Sequence, residues 1–378
     1  MNPLHRIRIA SFNLALDRAA PGVLAAELSA GGNRQIRQLV EILQRVRPDI
    51  VLLSEFDHDG DGRDDGHLRL FCDGFLARGG EDVPGLDYPY RWLVPTNTGK
   101  LAPVSLTGQA LPRLPQDGLG FGHFHGQYGL AVLSRWPLLL DDLRSFQHFL
   151  WQDMPGARLP VGPEGPWFTG EALRFLPLSS KNHVDLPVRL PNGRKLHLLA
   201  CHPAPPIDEG PERRNSCRNH DELRLFQDYI HPDRGAYLVD DRGLAGGLAA
   251  DADFVLLGDL NADPNDGDGF RAAIGNLLAS PALNYQVARG SRIPASLGGY
   301  GLKGVTGRQG SPAYWTHSQG LRLDYVLPSR RLRALASGVY WYPPAHPLGY
   351  LFWDKWGWPD RRASSDHRLV WVDVAVDT

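Results

Sequence analysis

Short apolar runs recur along the whole chain, and seven of them predict β-strands. Several of these runs are apolar at consecutive positions instead of alternating ones, and most end at a glycine or a polar residue. Strands of this kind are buried on both faces, as in sheets that are covered by helices. The predicted strands lie at residues 7–12, 50–54, 129–134, 195–200, 254–258, 323–327 and 369–374.

Three segments between the strands have the periodicity of helices instead. Residues 33–46 place their apolar side chains three and four positions apart, and Asn33 is the predicted N-cap. Two further helices are predicted at 219–229 and 269–278. Helices that alternate with buried strands indicate an α/β fold built in layers.

The segments between some of the strands are long, at roughly 71–127, 137–180 and 203–252. They are rich in Pro, Gly and Trp and contain no long runs of Ser or of charge. Such a composition favours ordered loops over flexible linkers. Because no internal repeat is evident either, we expect residues 1–378 to form a single domain with elaborate loops.

The composition is that of a globular protein with a sizeable core, since 42% of the 378 residues are hydrophobic. The formal net charge is −2, whereas proteins that hold DNA without sequence preference usually have a basic excess. The charge balance therefore disfavours a nucleic-acid substrate without excluding one. No apolar run approaches the length of a membrane span.

The three cysteines, Cys72, Cys201 and Cys217, have no metal-ligand spacing and an odd count, so no disulfide framework is expected. A strand follows directly after residues 1–6, without the features of a signal peptide. We expect a cytoplasmic protein if Met1 is native, and a secreted or periplasmic one if a leader has been removed. The sequence leaves the oligomeric state open.

Polar residues with catalytic chemistry stand at the ends of the predicted strands. Asp259 and Asn261 follow a buried strand two residues apart, so their side chains point the same way. Asp324 lies inside a strand, where Asp is depleted and is costly to bury unpaired. Any one of these could be a turn residue, but in an α/β sheet polar groups at strand ends form the ligand crevice. Further residues in such positions are Asn13, Glu55, His202, Asp366 and His367.

Seven short motifs follow one another along the chain, and six of them contain these residues. They are ASFN at 10–13, PDIVLLSE at 48–55, GLAVLSR at 129–135, ACH at 200–202, GDLN at 258–261, RLDYV at 322–326 and SDH at 365–367. The ordered set resembles the endonuclease/exonuclease/phosphatase superfamily, which includes deoxyribonuclease I-like metal-dependent phosphoesterases. The resemblance extends over residues 7–374. It implies a four-layer α/β/β/α sandwich with one active site at the sheet edge.

The resemblance also implies roles for the residues in the motifs. Asn13, Glu55 and Asp366 would be direct or water-mediated ligands of one or two divalent ions. Hard oxygen donors of this kind suit Mg²⁺ or Mn²⁺ better than Zn²⁺. Asp259 would orient or deprotonate the attacking water, and Asn261 would bind a phosphoryl oxygen.

The two histidines would act on the phosphate. His367 would donate a hydrogen bond to it, held in its tautomer by Asp324. His202 would make a second phosphate contact or protonate the leaving oxygen. In nucleases of the family a carboxylate near the third strand often supports the equivalent of His202, but residues 126–129 contain no acid. Tyr128 is the candidate that would orient His202 instead, and it is also a candidate for substrate binding.

Three basic residues near these motifs are further candidates for substrate binding. Lys181 and His183 precede the strand at 195–200, in a segment that should pair with it, and would face the phosphate. Arg218 follows His202 and could bind an anionic group. The alternatives are a solvated strand start for the first two residues and a charged helix start for Arg218.

Residues 57–65 resemble the first half of a calcium-binding loop. Asp57, Asp59 and Asp61 alternate and are followed by a glycine, but the twelfth position is Leu68 in place of the usual Glu. The segment therefore predicts either a structural Ca²⁺ site or a solvated acidic turn.

The sequence favours a metal-dependent phosphoesterase that hydrolyses a phosphodiester or phosphomonoester through an activated water. The near-neutral charge and the long loops favour a small or enclosed substrate. A nuclease for DNA or RNA is the alternative within the same chemistry. A catalytically silent binding module is a third hypothesis, which the presence of both metal and phosphate residues disfavours.

Overall fold

The computed structural model describes residues 5–63, 66–80 and 82–376. The strands are β1 (His5–Leu16), β2 (Ile50–Phe56), β3 (Tyr90–Val94), β4 (Leu130–Ser134), β5 (Arg144–Ser145), β6 (Val161–Gly162), β7 (Gly165–Pro166), β8 (His183–Arg189), β9 (Lys195–Cys201), β10 (Phe254–Asp259), β11 (Asp324–Pro328), β12 (Arg333–Val339) and β13 (Val370–Val376). The α-helices are α1 (Val23–Ala30), α2 (Arg34–Val46), α3 (His67–Phe71), α4 (Gly170–Leu173), α5 (Arg214–Tyr229), α6 (Arg271–Leu278) and α7 (Tyr285–Ala288). A π-helical turn, Cys72–Leu76, continues α3. Short 3₁₀ turns lie at Leu140–Asp142, Trp151–Asp153, Gly235–Tyr237, Gly298–Gly301, Pro312–Tyr314 and Gly349–Leu351.

The main strands form two mixed sheets. The six-stranded sheet has the order β12-β13-β1-β2-β4-β3, and the five-stranded sheet has the order β11-β10-β9-β8-β5. Each sheet has one parallel pair near its centre, β1 with β2 in the first and β9 with β10 in the second. Because the carboxyl ends of paired parallel strands meet at one edge, residues that follow these strands are brought together.

The alternation of side chains along β10 shows how the layers are stacked. Val255 and Leu257 belong to the apolar core shared with the first sheet. Phe254 and Leu256 point the other way, into a second core that contains side chains of α5 and α6. Helix α2 buries its apolar face in the first core. The structure therefore confirms the predicted α/β fold with helices outside two packed sheets.

The seven predicted strands are all present, with ends shifted by a few residues at most. Helix α5 begins at Arg214, earlier than the predicted 219, because its first turn is polar and adds nothing to the apolar periodicity. Helix α1, with glycines at both ends, was not predicted because its apolar residues do not form one face. None of the described helices has the length and apolar character needed to cross a membrane.

The long loops are held by buried polar side chains, as expected for ordered segments. Asn97 donates from Nδ2 to the carbonyl oxygens of Gln147 (2.8 Å) and Ser179 (2.9 Å). The carboxylate of Asp117 accepts hydrogen bonds from the amides of Leu106 and Arg113, among others. These bonds hold the loops in shape and tie the segment around Asn97 to those around Gln147 and Ser179.

The N-cap of α2 gives a direct test of local stability. The side chain of Asn33 accepts a hydrogen bond from the amide of Ile36 (3.2 Å), as predicted from the sequence. We expect Asn33→Ala to lower the free energy of unfolding by about 1 kcal/mol, because that amide loses its partner. Asn33→Ser keeps an oxygen acceptor and should retain most of the stability that Asn33→Ala loses. Urea titration of the variants would measure the difference, and an unchanged midpoint in Asn33→Ala would contradict it.

Candidate active site

Four strands present polar side chains at the junction between the two sheets. Asn13 lies in β1 and Glu55 in β2 of the first sheet, whereas Asp259 ends β10 and Asp324 begins β11 of the second. In the sheet register Asp259 lies opposite Asp324. Asn13, Asp259 and Asp324 are almost completely buried. The site therefore depends on both sheets.

Asn13 links the two sheets directly. Its Nδ2 donates to Oε1 of Glu55 (3.0 Å) and to Oδ2 of Asp259 (3.0 Å). Its Oδ1 accepts a hydrogen bond from the amide of Ala15 (3.0 Å). One amide thus holds two carboxylates, from different sheets, close to each other.

Asp259 lies at the centre of the polar cluster. Its Oδ2 is 3.4 Å from Nε2 of His202 and 3.6 Å from Nε2 of His367, and Oδ1 accepts the amide of Asn261 (3.0 Å). Burial alone would raise the pKa of Asp259, but the charge of His367 and the contact with His202 hold it well below its usual range. The carboxylate is therefore ionised at neutral pH.

His367 and Asp324 form a buried pair. Nδ1 of His367 donates to Oδ2 of Asp324 across 2.9 Å. Burial would lower the pKa of His367, but the charges of Asp324 and Asp259 raise it to about 10. The ring is therefore a cation at neutral pH, with Nε2 directed toward Asp259.

His202 differs from His367 in charge. Burial and the nearby ammonium of Lys181 lower the pKa of His202 to about 4, against the opposing effect of Asp259. Its Nδ1 is buried and has no hydrogen-bond partner among the described residues. The prediction that Tyr128 orients this ring finds no hydrogen bond at Nδ1, and the carboxylate that His202 contacts is that of Asp259. His202 is neutral at neutral pH.

Glu55 is held in a strained and negatively charged setting. Its φ of 55° lies in the left-handed region, which is uncommon for a residue within a strand. Burial raises the pKa of Glu55 to about 7, and the charges of Asp17 and Asp366 act in the same direction, whereas His367 and Asn13 oppose the rise. A nearby cation would favour its ionised form.

The structure adds three residues that were not predicted from the sequence, namely Asp17, His317 and Arg361. Arg361 forms ion pairs with Asp17, Glu55 and Asp366. His317 places Nε2 3.7 Å from Oδ2 of Asp366, and its ring centre is 4.5 Å from that of His367. The only sequence signal for Arg361 was its position five residues before Asp366 in the same loop.

The side chains at this junction fit a divalent cation. In the described part of the chain, three groups converge closely enough to hold an ion. They are Glu55 with His202 and Asp259, Asp259 with Asp324 and His367, and His317 with Asp366 and His367. The first group contains two carboxylates and one imidazole, so oxygen ligands predominate there, as Mg²⁺ and Mn²⁺ prefer. Asp366 belongs to a different group from Glu55, and the guanidinium of Arg361 contacts both carboxylates.

A cavity of about 830 Å³ opens above the polar cluster. Its floor contains Glu55, His202, Asp259, Asn261, Asp366 and His367. Its walls come from the long loops and include many apolar side chains, among them Leu106, Phe121, Trp151, Trp167, Phe168, Ile207 and Phe270. Asn261, which also lines the cavity, has a φ of 49° and donates from Nδ2 to the carbonyl of Pro203 (3.1 Å).

The predicted substrate-binding residues have different positions relative to this cavity. Lys181 is buried and lines it, and burial lowers the pKa of Lys181 despite nearby Glu222. Tyr128 also lines it, on the side of Glu55. His183 is not among the described residues that line the cavity, because its ring bonds to Ser179 (2.8 Å) and packs within the fold.

Arg218 lines the cavity, but its guanidinium is already bonded to the loops. Nε donates to the carbonyl of Leu178 (2.9 Å), and Nη2 donates to those of Leu119 (2.6 Å) and Pro177 (2.8 Å). These bonds give Arg218 a role in fixing the cavity wall in addition to any contact with an anion.

In the described residues, carboxylates of the acidic segment after β2 accept hydrogen bonds from backbone amides. Asp57 accepts the amides of Arg18 (2.7 Å) and Tyr128 (3.0 Å), so its carboxylate is directed at the backbone. Asp59 accepts the amide of Asp61 (3.1 Å) in a turn. The three carboxylates are absent from the described groups that converge on one point. Residues 64–65 of this segment lie outside the described part of the chain.

A sequence model of the Endonuclease/Exonuclease/phosphatase family matches residues 10–367. The chain therefore belongs to this family, as its motifs predicted. Members of the family are phosphoesterases and nucleases, that is, hydrolases that generally depend on a metal. No curated protein matches the chain in sequence.

Solved structures with similar folds come from several organisms. An endonuclease/exonuclease/phosphatase from Beutenbergia cavernae DSM 12333 is 17% identical, with a TM-score of 0.50 over 98% of this chain and 72% of that one. Sphingomyelinase C from Streptomyces griseocarneus is 16% identical, with a TM-score of 0.48 over 98% and 99% of the two chains. The human Nocturnin catalytic domain is 16% identical, with a TM-score of 0.48 over 100% and 97%. At 17% identity, the similarity to the Beutenbergia cavernae protein supports the assignment of the fold and nothing further.

Proposed function

We propose that this protein is a divalent-metal-dependent phosphoesterase that hydrolyses a small phosphoester held in the cavity above β10 and β11. The observation that supports this most is the cavity of about 830 Å³, which has a charged floor and many apolar side chains in its wall. A volume of that size matches a drug-sized ligand. An extended nucleic-acid strand is usually held in a predominantly basic groove, whereas the lining of this cavity mixes acidic, basic and apolar side chains.

The floor of the cavity supplies groups for each part of the reaction. His367 is a cation that can donate a hydrogen bond from Nε2 to a phosphoryl oxygen. Asp259 is an ionised acceptor that can orient an attacking water, since its pKa lies too low for it to be a strong base. Asn261 lines the same floor and is placed for a second phosphoryl oxygen. We expect such positioned groups to favour the transition state electrostatically.

Glu55, Asn13 and Asp366 would hold the divalent ion in this proposal. A bound ion supplies positive charge that polarises the phosphoryl group and offsets the charge developing in an in-line displacement. The Nδ2 of Asn13 faces both carboxylates in the structure. Rotation of this amide about χ2 would turn its oxygen toward them instead, so the side chain is suited to an ion.

The neutral charge of His202 distinguishes between its two predicted roles. A histidine with a pKa of about 4 is rarely protonated at neutral pH and is a poor source of the leaving group's proton. It retains one N–H, which can bind a phosphoryl oxygen. We therefore assign His202 to a phosphate contact.

A substrate panel tests the proposed function. The protein with Mn²⁺ or Mg²⁺ is incubated with bis-(4-nitrophenyl) phosphate, 4-nitrophenyl phosphate, plasmid DNA and RNA. We expect hydrolysis of at least one chromogenic ester, loss of that activity with EDTA, and no nicking of the plasmid. Cleavage of DNA or RNA in preference to the small esters would identify a nuclease. No hydrolysis of any phosphoester would leave only a binding module.

A further inference from the structure

The positively charged guanidinium of Arg361 lies among the predicted metal ligands. The guanidinium is 3.6 Å from Glu55 (Nη2 to Oε2) and 3.5 Å from Asp366 (Nε to Oδ1). Nη2 also forms a closer ion pair with Oδ1 of Asp17. Arg361 therefore bridges two carboxylates that are expected to hold the ion.

The three contacts of Arg361 are unequal in length. The distances to Glu55 and Asp366 exceed those of charge-assisted hydrogen bonds, which are about 2.7–2.9 Å. Only the pair with Asp17 is a hydrogen bond in the structure. A second cation could thus displace the guanidinium from Glu55 and Asp366 while Asp17 still holds it.

The surroundings allow such a displacement. The side chain of Arg361 is 49% exposed and lines the cavity, whereas the side chain of Glu55 is 17% exposed. Like charges a few ångströms apart repel, and a partly exposed guanidinium can move toward solvent at little cost. An ion bound between Glu55 and Asp366 and an unmoved Arg361 would therefore oppose each other.

We propose that Arg361 is a resident counter-cation of the metal ligands. It neutralises Glu55 and Asp366 before an ion binds, and the ion displaces its guanidinium toward Asp17. Arg361 is then a positioning residue whose presence weakens metal binding in exchange for holding the ligands together without metal. This inference rests on the proposed metal-dependent function.

Metal affinity measured without substrate tests the proposal. Mn²⁺ is titrated into wild-type protein and Arg361→Gln by isothermal calorimetry, with the fold checked by circular dichroism. We expect Arg361→Gln to bind Mn²⁺ roughly three- to tenfold more tightly, because the competing charge is gone. Arg361→Lys, which keeps the charge, should stay nearer to wild type.

Arg362→Gln is the matched control, since it removes the same charge from the exposed neighbouring side chain. We expect it to leave Mn²⁺ affinity within about twofold of wild type, because exposed charges are screened by water and salt. Equal tightening in Arg362→Gln and Arg361→Gln would overturn the role of the contacts. Unchanged or weaker binding in a folded Arg361→Gln, beside wild type that binds Mn²⁺, would overturn this inference alone. If neither protein bound Mn²⁺, the proposed metal-dependent function would fail as well.

Discussion

Asp259→Asn is expected to reduce kcat for a phosphoester substrate by roughly 10²- to 10⁴-fold. The substitution keeps the shape of the side chain but removes the charge that faces His202 and His367. Without that charge, the attacking water loses its acceptor and the imidazolium of His367 loses a partner. Steady-state kinetics with bis-(4-nitrophenyl) phosphate at saturating Mn²⁺ would measure the effect.

A nearby carboxylate provides the control for this substitution. Asp268 lines the same cavity but is exposed, so Asp268→Asn removes an equal charge away from the polar floor. We expect it to change kcat by no more than about twofold, since solvent screens an exposed charge. If Asp259→Asn kept a tenth or more of the wild-type kcat in a folded protein, the assignment of Asp259 to the attacking water would be wrong.

Four of the predicted site residues that the structure brings together share one kind of signal. Asn13, Glu55, Asp259 and Asp324 each lie within or at the end of an apolar strand, where a polar side chain is conspicuous. Parallel pairing brings the ends of β1 and β2 together in one sheet and those of β9 and β10 in the other. Asp324 reaches the site from an antiparallel strand, and the meeting of the two sheets was implied only by the resemblance to the family, so the local pattern accounts for part of the convergence and the individual roles in catalysis stay predictions.

The wall of the cavity could not be predicted in this way. Arg361, His317 and Trp167 lie in loops, where no periodicity relates a side chain to its neighbours in space. Their positions follow from the packing of long segments that meet only in the folded protein.

Lys181 and His183 show a more specific limit. Both were proposed to face the phosphate because their segment should pair with the strand at 195–200, and on a strand residues two apart share a face. The strand β8 begins only at His183, so the alternation does not extend back to Lys181. As a result Lys181 lines the cavity, and His183 packs against Phe226 and Ser179.

Asp324→Asn is expected to lower kcat/KM at neutral pH by roughly 10²- to 10³-fold, as for the loss of one charged hydrogen-bond donor. The charge of Asp324 is a main reason why the pKa of His367 is raised to about 10. In the wild type, His367 keeps its proton until the pH approaches that value. Without the carboxylate the pKa falls, so the ring deprotonates and activity is lost at a lower pH.

The pH dependence distinguishes this effect from general destabilisation. The falling limb of kcat/KM should move to lower pH in Asp324→Asn, and a histidine NMR titration should show the lowered pKa of His367 directly. Asp185→Asn is the matched control, because Asp185 is buried in the same sheet and pairs with His197 (2.7 Å) away from the cavity. That variant should lose stability but keep the wild-type pH profile. Superimposable profiles for Asp324→Asn and wild type would mean that the charge of His367 does not act on the substrate. If that charge were needed, removing its partner carboxylate would shift the pH at which activity is lost.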